Sequence, residues 1–312
     1  MSEVISQAFC STANLGAGFD TFGLALKKYS DKVHASLTTG KKVVIQVKGL
    51  YSDHVPINVQ QNSAGPPALA LSRLANLRRG LEIIIEKNVP QGLGLGSSGA
   101  TAAACTKAVD HLLGLKLSNN ELVRVASLGE KAVSGSAHAD NVAASLLGGF
   151  VVVYDDPVKT ISIQPPENLA IVVVIPTLPR QENKTRLARR IVPKSLSISK
   201  TVLNIGRASA IVAGFATGEI ETIGSGMLDE IAEPNRQRLI PGYQKVREAG
   251  LRAHAAGVAI SGAGPSVIAL VDKNRHEPES VAKAMTSEFA RNGVRSRSLI
   301  STPAPAARMI KR

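Results

Sequence analysis

Short apolar-rich runs at residues 4–9, 33–37, 43–47, 81–85 and 150–154 predict strands in the first half of the chain. Between them the pattern lengthens to a helical period. In residues 98–113 Ala100, Ala104, Ala108 and Leu112 stand at the i, i+4 spacing of an amphipathic helix. Further helices are predicted over 118–131 and over about 63–77, the latter following Asn62. Pro66 and Pro67 fall in its first turn, where a missing amide hydrogen costs no intrahelical bond.

The second half opens on the run "LAIVVVI" at 169–175, read as a buried strand over 170–175. Helical pattern resumes from about Thr185, with helices near 197–213 and 241–253. The stretch "VAISGAGPSVIALV" at 258–271 reads as two strands joined by a glycine-proline turn, and a helix over 278–291 and a strand over 294–298 follow. Strands and helices are mixed without strict alternation, which predicts an α+β fold over a doubly wound sheet. The turn-rich "DDPVKTISIQPPEN" at 155–168 marks the expected boundary between an N-terminal domain over 1–160 and a C-terminal domain over 161–312.

A length of 312 residues suits two domains, and 44% hydrophobic with 20% charged residues is globular. The run at 169–175 is too short to span a bilayer, and the N-terminus lacks a basic region followed by an apolar core. A cytoplasmic protein without a membrane partner is therefore expected. Cys10 and Cys105 have neither metal-ligand spacing nor disulfide-scaffold density, and Cys105, among alanines, reads as a small core residue. The net charge of +13 raises nucleic acid as a partner. Residues 180–207 concentrate it, with Arg180, Lys184, Arg186, Arg189, Arg190, Lys194, Lys200 and Arg207 against Glu182 alone. That segment has no aromatic residue to stack on bases, so a solvated basic face or an anion-substrate site is the better reading, and no nucleic-acid partner is expected.

One stretch carries the first chemistry. "GLGLGSSG" at 92–99 contains the spacing GxGxxG at Gly94, Gly96 and Gly99, the fingerprint of dinucleotide-binding loops. A dinucleotide site requires a strand leading directly into the glycines and an acid about 20 residues beyond. Here "EKNVPQGL", with Pro90, intervenes after the strand at 81–85, and no acid stands at the required distance. What survives is a glycine-rich approach to a helix N-terminus with Ser97 or Ser98 as its cap, which suits a phosphate group. The absence of GK[ST] excludes a Walker loop.

Five stretches, "STANLGAGFDTFGLAL" (11–26), "PQGLGLGSSGATAA" (90–103), "GEKAVSGSAHADNVAASLLGGF" (129–150), "EPNRQRLIPGY" (233–243) and "VAISGAGPSVIAL" (258–270), resemble the motifs of the GHMP small-molecule kinase superfamily in order and spacing. "NLGAGFD" and "HADNVA" resemble its homoserine kinase family in particular. The resemblance implies a two-domain fold, an N-terminal domain like ribosomal protein S5 domain 2 followed by a ferredoxin-like domain, with the site between them. It implies ATP-dependent phosphorylation of the homoserine hydroxyl in threonine biosynthesis, with Mg²⁺ as cofactor and a homodimer as the assembly.

The same resemblance carries roles onto particular residues. Pro90, Gly92, Leu93, Gly94, Leu95, Gly96, Ser97, Ser98 and Gly99 would wrap the ATP phosphates, with Asn62 and Lys87 near the nucleotide. Ser98 and Glu130 would hold Mg²⁺, a hydroxyl-carboxylate pair of hard oxygens. Read alone, Ser98 is equally an N-cap and Glu130 a surface acid near a helix end. Arg189, in "TRLARRIVP", and Arg236, in "EPNR", would take the substrate carboxylate, a task suited to the guanidinium fork. Asn14 and Asp20 would receive its ammonium end and Asn141 its hydroxyl. Asp140 stays open as a proton acceptor and His138 as a support for the loop. The chain departs from the family at Ala17 and Ala144, where proline is usual, and at Arg186, where lysine is; these put loop rigidity in doubt and remove no contact group. Mevalonate and shikimate kinases of the same superfamily are the near alternatives, and a nicotinamide dehydrogenase the distant one.

Overall fold

The computed structural model describes residues 3–134, 139–179 and 184–311. His138, Arg180 and Glu182, named above, lie outside them. In chain order the elements are β1 (Val4–Asn14), β2 (Gly18–Thr38), β3 (Val43–Lys48), α1 (Gly65–Leu74), β4 (Gly80–Glu86), α2 (Ser97–Leu113), α3 (Asn119–Ser134), α4 (Asp140–Leu147), β5 (Phe150–Val153) and β6 (Thr160–Ile163). They continue with β7 (Leu169–Pro176), α5 (Lys184–Arg190), α6 (Ile198–Thr217), α7 (Ile220–Ser225), α8 (Glu233–Arg236) with a short 3-10 turn, α9 (Tyr243–Arg252), β8 (Gly257–Ile260), β9 (Val267–Asp272), α10 (Pro278–Arg291), β10 (Ser296–Ser301) and β11 (Arg308–Ile310).

Two sheets organise these elements, as an α+β chain requires. The first is seven-stranded, ordered β11-β1-β2-β4-β3, with β5 pairing to both β2 and β6. Its pairs are antiparallel except β3 with β4, and one face is covered by α1 to α4 through a core of Val33, Leu81, Ile83, Ile85, Val109 and Val123. The second sheet runs β10-β7-β9-β8, all antiparallel. The chain thus passes from one sheet to the other between Ile163 and Leu169, and β11 returns the far terminus to the first sheet.

The run at 169–175 now has a physical account. Leu169, Ile171, Val173 and Ile175 face a core shared with Leu15, Phe22, Leu24, Leu95 and Phe150 of the first half. Ala170, Val172 and Val174 face the opposite core, against Tyr243, Val246, Met285 and Phe289 of α9 and α10. A strand covered on both faces has no reason to alternate. Phe150 sits at the junction, stacked on Phe215 of α6 at 3.9 Å between centroids and edge-on to Phe22 at 5.2 Å. The shared core fastens the two halves and fixes the walls of the cleft between them.

Candidate active site

The expected site residues converge. Asn14, Asp20, Asn62, Lys87, Glu130, Asn141, Arg189, Arg236 and the loop from Gly92 to Ser98 all line one cleft of about 1180 Å³, while Pro90 and Gly99 do not. That volume exceeds the roughly 300–1,000 Å³ usual for one small ligand and leaves room for two reactants.

The glycine loop occupies the path from β4 to α2. Neither serine caps the helix, contrary to the sequence expectation: the N-cap is Gly96, left-handed at φ 58°, and no side chain satisfies the first turn. The Ser97 hydroxyl instead donates backwards to the Val89 carbonyl at 2.9 Å. Among the described residues the terminus is therefore a set of amides without a side-chain cap beside an open cleft, an arrangement that favours an anion. Gly99 stands behind the loop, where an added Cβ would come within 3.2 Å of the Asn141 Cβ.

Beneath the loop lies a buried ionic network that sequence reasoning missed. The Lys87 ammonium pairs with Asp31 Oδ2 and donates to the Ser97 carbonyl at 2.8 Å and to Thr101 Oγ1 at 3.0 Å. Asp31 Oδ1 accepts the amides of Asn88 and Val89 at 2.8 and 2.9 Å. Burial pushes the Lys87 ammonium below its usual pKa, while Asp31 above all, and Glu130 more weakly, pull it back. In this geometry Lys87 lines the cleft and braces the loop from its underside. Asn62 likewise serves the backbone, accepting from the Ala64 amide at 2.9 Å and donating to the Pro56 carbonyl at 2.6 Å, which fixes the entry to α1. Glu130, buried near the end of α3, and Ser98, at the start of α2, line the same cleft. Among the described residues no three His, Cys, Asp or Glu side chains gather as a metal site.

The opposite end is cationic and aromatic. Arg189 of α5 pairs with Asp20, and its guanidinium carbon lies 5.2 Å from the centroid of the Phe19 ring. Arg236, closing α8, lies 5.0 Å from the same ring. It donates to the carbonyls of Ala188 at 3.1 Å and Gly262 at 3.0 Å, so it also ties α5 to the "SGAGPS" turn. Burial pushes the Arg236 guanidinium below its usual pKa, with Asp20 the chief opposing charge. Asn14 is committed to the framework: its amide donates to Gly262 at 3.0 Å and its oxygen accepts from the Asp20 amide at 3.1 Å. Both Asn14 and Asp20 have positive φ, 74° and 56°, a conformation uncommon outside glycine that persists because the surrounding bonds enforce it.

Asn141 stands between the two ends at the start of α4, beside the buried Asp140. Ser11, which the sequence reading passed over, holds it: the Ser11 hydroxyl is 2.9 Å from Asn141 Oδ1. The "SGAGPS" turn closes the roof, the Ser261 hydroxyl reaching the Gly94 carbonyl at 2.6 Å and Thr12 Oγ1 at 2.8 Å.

Comparison with known proteins places the chain in a family. Models of the GHMP kinases N terminal domain and the GHMP kinases C terminal domain match residues 66–149 and 211–291. A homoserine kinase of Thermoplasma acidophilum is 40% identical over 296 residues, 95% of this chain and 93% of that protein. The chain belongs to the homoserine kinase family. A homoserine kinase of Sulfurisphaera tokodaii is 39% identical over 283 residues, covering 90% of this chain and 91% of the relative. The crystal structure of a homoserine kinase from Cytophaga hutchinsonii superposes with a TM-score of 0.90 at 34% identity, covering 99% of this chain and 98% of that one. Mevalonate diphosphate decarboxylase from Staphylococcus aureus shares the fold at 15% identity and a TM-score of 0.73. Family membership makes the chain an ATP-dependent kinase of two-domain GHMP architecture, and the dehydrogenase alternative falls with it.

Proposed function

We infer that this chain transfers the γ-phosphoryl group of ATP to the side-chain hydroxyl of homoserine, giving O-phosphohomoserine for threonine biosynthesis. The observation that carries the reading is the pairing of Arg189 with Asp20, beside Arg236, across one cleft from an uncapped helix N-terminus. A zwitterionic amino acid carries both charges of that pair. Its carboxylate replaces Asp20 at the guanidinium and its ammonium replaces Arg189 at the carboxylate, so neither charge of this half-exposed pair is left alone.

Phosphoryl transfer depends mainly on alignment and charge neutralisation. The α2 amides and the Gly92–Ser98 loop bind the phosphates, and Asn141 orients the hydroxyl that attacks. With its oxygen engaged by Ser11, Asn141 offers the cleft chiefly its NH₂ group, a donor suited to alignment and unable to serve as a base. Asp140, one residue earlier, lines the cleft with one oxygen accepting the Asn141 amide at 2.7 Å, and is the candidate to receive the departing proton. Ser98 and Glu130 would hold Mg²⁺, which supplies charge neutralisation on the phosphates when bound. The assembly is a homodimer working in the cytoplasm, and among the described residues no helix is long and apolar enough to cross a membrane.

A panel of alcohols incubated with ATP and Mg²⁺, with products resolved by phosphorus NMR, tests the reading. Homoserine is expected to give a phosphomonoester in preference to mevalonate and shikimate. Turnover of an unrelated alcohol without homoserine would overturn the substrate assignment.

A further inference from the structure

Arg236 is carried by a helix only four residues long, α8. One turn has no stability of its own, so contacts with other elements decide how it sits. Asp229 fixes its start, Oδ2 accepting the amides of Ala232 and Glu233 at 2.7 Å each. Glu233 opens the turn and Arg236 closes it, and at that i, i+3 spacing the two side chains share a face.

Both grip the same piece of backbone. Among the described strands β8 is an edge of the second sheet, pairing with β9 alone, so amides on its far side have no strand to meet. Glu233 Oε2 accepts the Ile260 amide at 3.0 Å, and Ile260 is buried, where an amide needs a partner. Two residues on, the Gly262 carbonyl accepts from Arg236 Nη1 at 3.0 Å. An acceptor and a donor on one face of α8 thus meet a donor and an acceptor at the end of β8, and together they fix the register of helix on strand.

We propose that Glu233 is a positioning residue for the transfer reaction: by anchoring α8 to the end of β8 it holds the Arg236 guanidinium at the angle from which it meets the substrate carboxylate. This role rests on the reading that the carboxylate of a zwitterionic substrate lies at Arg189 and Arg236.

The surroundings of Glu233 suit a fixed anchor. Its Oε1 accepts the hydroxyl of Tyr243, whose ring is locked in a core with Val246, Met285 and Phe289. Burial pushes that hydroxyl well above its usual range, so it stays protonated and donating at neutral pH. The two carboxyl oxygens are therefore held by different elements, α9 and β8. The guanidinium, in turn, is rigid and planar. Its Nε and Nη1 are committed to the carbonyls of Ala188 and Gly262, and those two bonds set where the rest of the fork points. A slip of α8 along β8 breaks the Gly262 bond and turns the fork away from the carboxylate. Gly262 also accepts the Asn14 amide at 3.0 Å, so the same anchor reaches the turn that carries Asp20.

Steady-state kinetics of the full chain on homoserine and on 3-aminopropan-1-ol, which has no carboxylate for Arg236 to meet, test this role. Glu233→Ala is expected to raise KM for homoserine about tenfold, with KM for ATP within about twofold and kcat/KM for the aminopropanol unchanged. Glu233→Gln keeps an oxygen for the Ile260 amide and should stay within about threefold of wild type. Tyr243→Phe, which keeps the ring and loses the hydroxyl, should fall between them. Because Glu233 acts through Arg236, adding Glu233→Ala to Arg236→Ala should cost homoserine nothing further. A folded Glu233→Ala with unchanged KM for homoserine, equal losses on both alcohols, or the full loss repeated in the Arg236→Ala background would overturn the role. A wild type that does not phosphorylate homoserine would remove the substrate reading and this role with it, a failure seen before any variant is made. If Glu233→Ala does not fold, Tyr243→Phe with and without Arg236→Ala decides, and a loss that persists without Arg236 counts against the role.

Discussion

The Ser11 hydroxyl lies 2.9 Å from Asn141 Oδ1 and 3.2 Å from the carbonyl oxygen of the same residue. Ser145 backs it, its own hydroxyl 3.4 Å from Ser11 Oγ. A β1 side chain thus sets the rotation of the carboxamide proposed to orient the reacting hydroxyl. Replacing Ser11 by alanine removes one hydrogen bond, about 1 kcal/mol, and frees the amide to turn. The expected result is a fall in kcat of up to about tenfold. KM for ATP and for homoserine should move less than twofold. A rise in KM for ATP with kcat unchanged would place the role of Ser11 in the loop instead.

Lys87 and Asp31 make a different kind of demand. Both are buried, and each is the other's counter-ion. Lys87→Met leaves a carboxylate stranded under the glycine loop, at a cost of about 3–5 kcal/mol. Thermal unfolding should fall by roughly 10 °C. The double variant Asp31→Asn with Lys87→Met should regain most of that loss, because asparagine still accepts the Asn88 and Val89 amides. Thermal scans of the three proteins check the coupling; additive losses in the double variant would mean the pair is not a unit.

Much of the fold was legible because its periodicities are local. The helix expected over 278–291 is α10 without adjustment, and the strands at 43–47 and 81–85 fall within β3 and β4. The first half of β2 was not legible. No element is predicted over "GFDTFGLAL", where glycines and Asp20 interrupt the pattern, and the strand is buried where alternation should appear. In α4 the helix is only eight residues long, and β6 hides in a proline-rich passage. The site divides similarly. The glycine loop and arginines announce themselves by motif, whereas Ser11 is defined by a partner 130 residues away and Asp31 by partners 56 to 70 residues away. Asp31 stands in "KKYSDKVH", where one acid among lysines gives no signal of burial. For Lys87 the motif suggests a place near the nucleotide, and its contacts add the bonds that it makes beneath the loop.

Glu233 gives the chain a pH dependence. Burial pushes its carboxyl up from 4.5 to about 7, against the opposing hydrogen bonds of Tyr243 and the Ile260 amide. Below pH 4.5 folded and unfolded chains both hold the proton. Between 4.5 and 7 the unfolded chain releases it and the folded chain keeps it, so this group's stabilisation is lost as pH rises through that window. Glu233→Gln has no proton to lose. Its melting temperature relative to wild type should therefore rise between pH 5 and pH 8; a difference that is flat or falls would contradict the assignment.

The central claim is that Arg189 grips the carboxylate of a zwitterionic substrate in place of Asp20. It is tested most directly by comparing wild type and Arg189→Ala on homoserine and on 3-aminopropan-1-ol, which keeps the ammonium and hydroxyl and lacks the carboxylate. Loss of a charge-assisted bond costs roughly 1.5–3 kcal/mol. KM for homoserine should rise about tenfold to more than a hundredfold. Arg189→Lys should recover part of it, with charge but no planar fork. The aminopropanol should be a poor substrate for wild type and no worse for the variant. Equal losses on both alcohols would contradict the account.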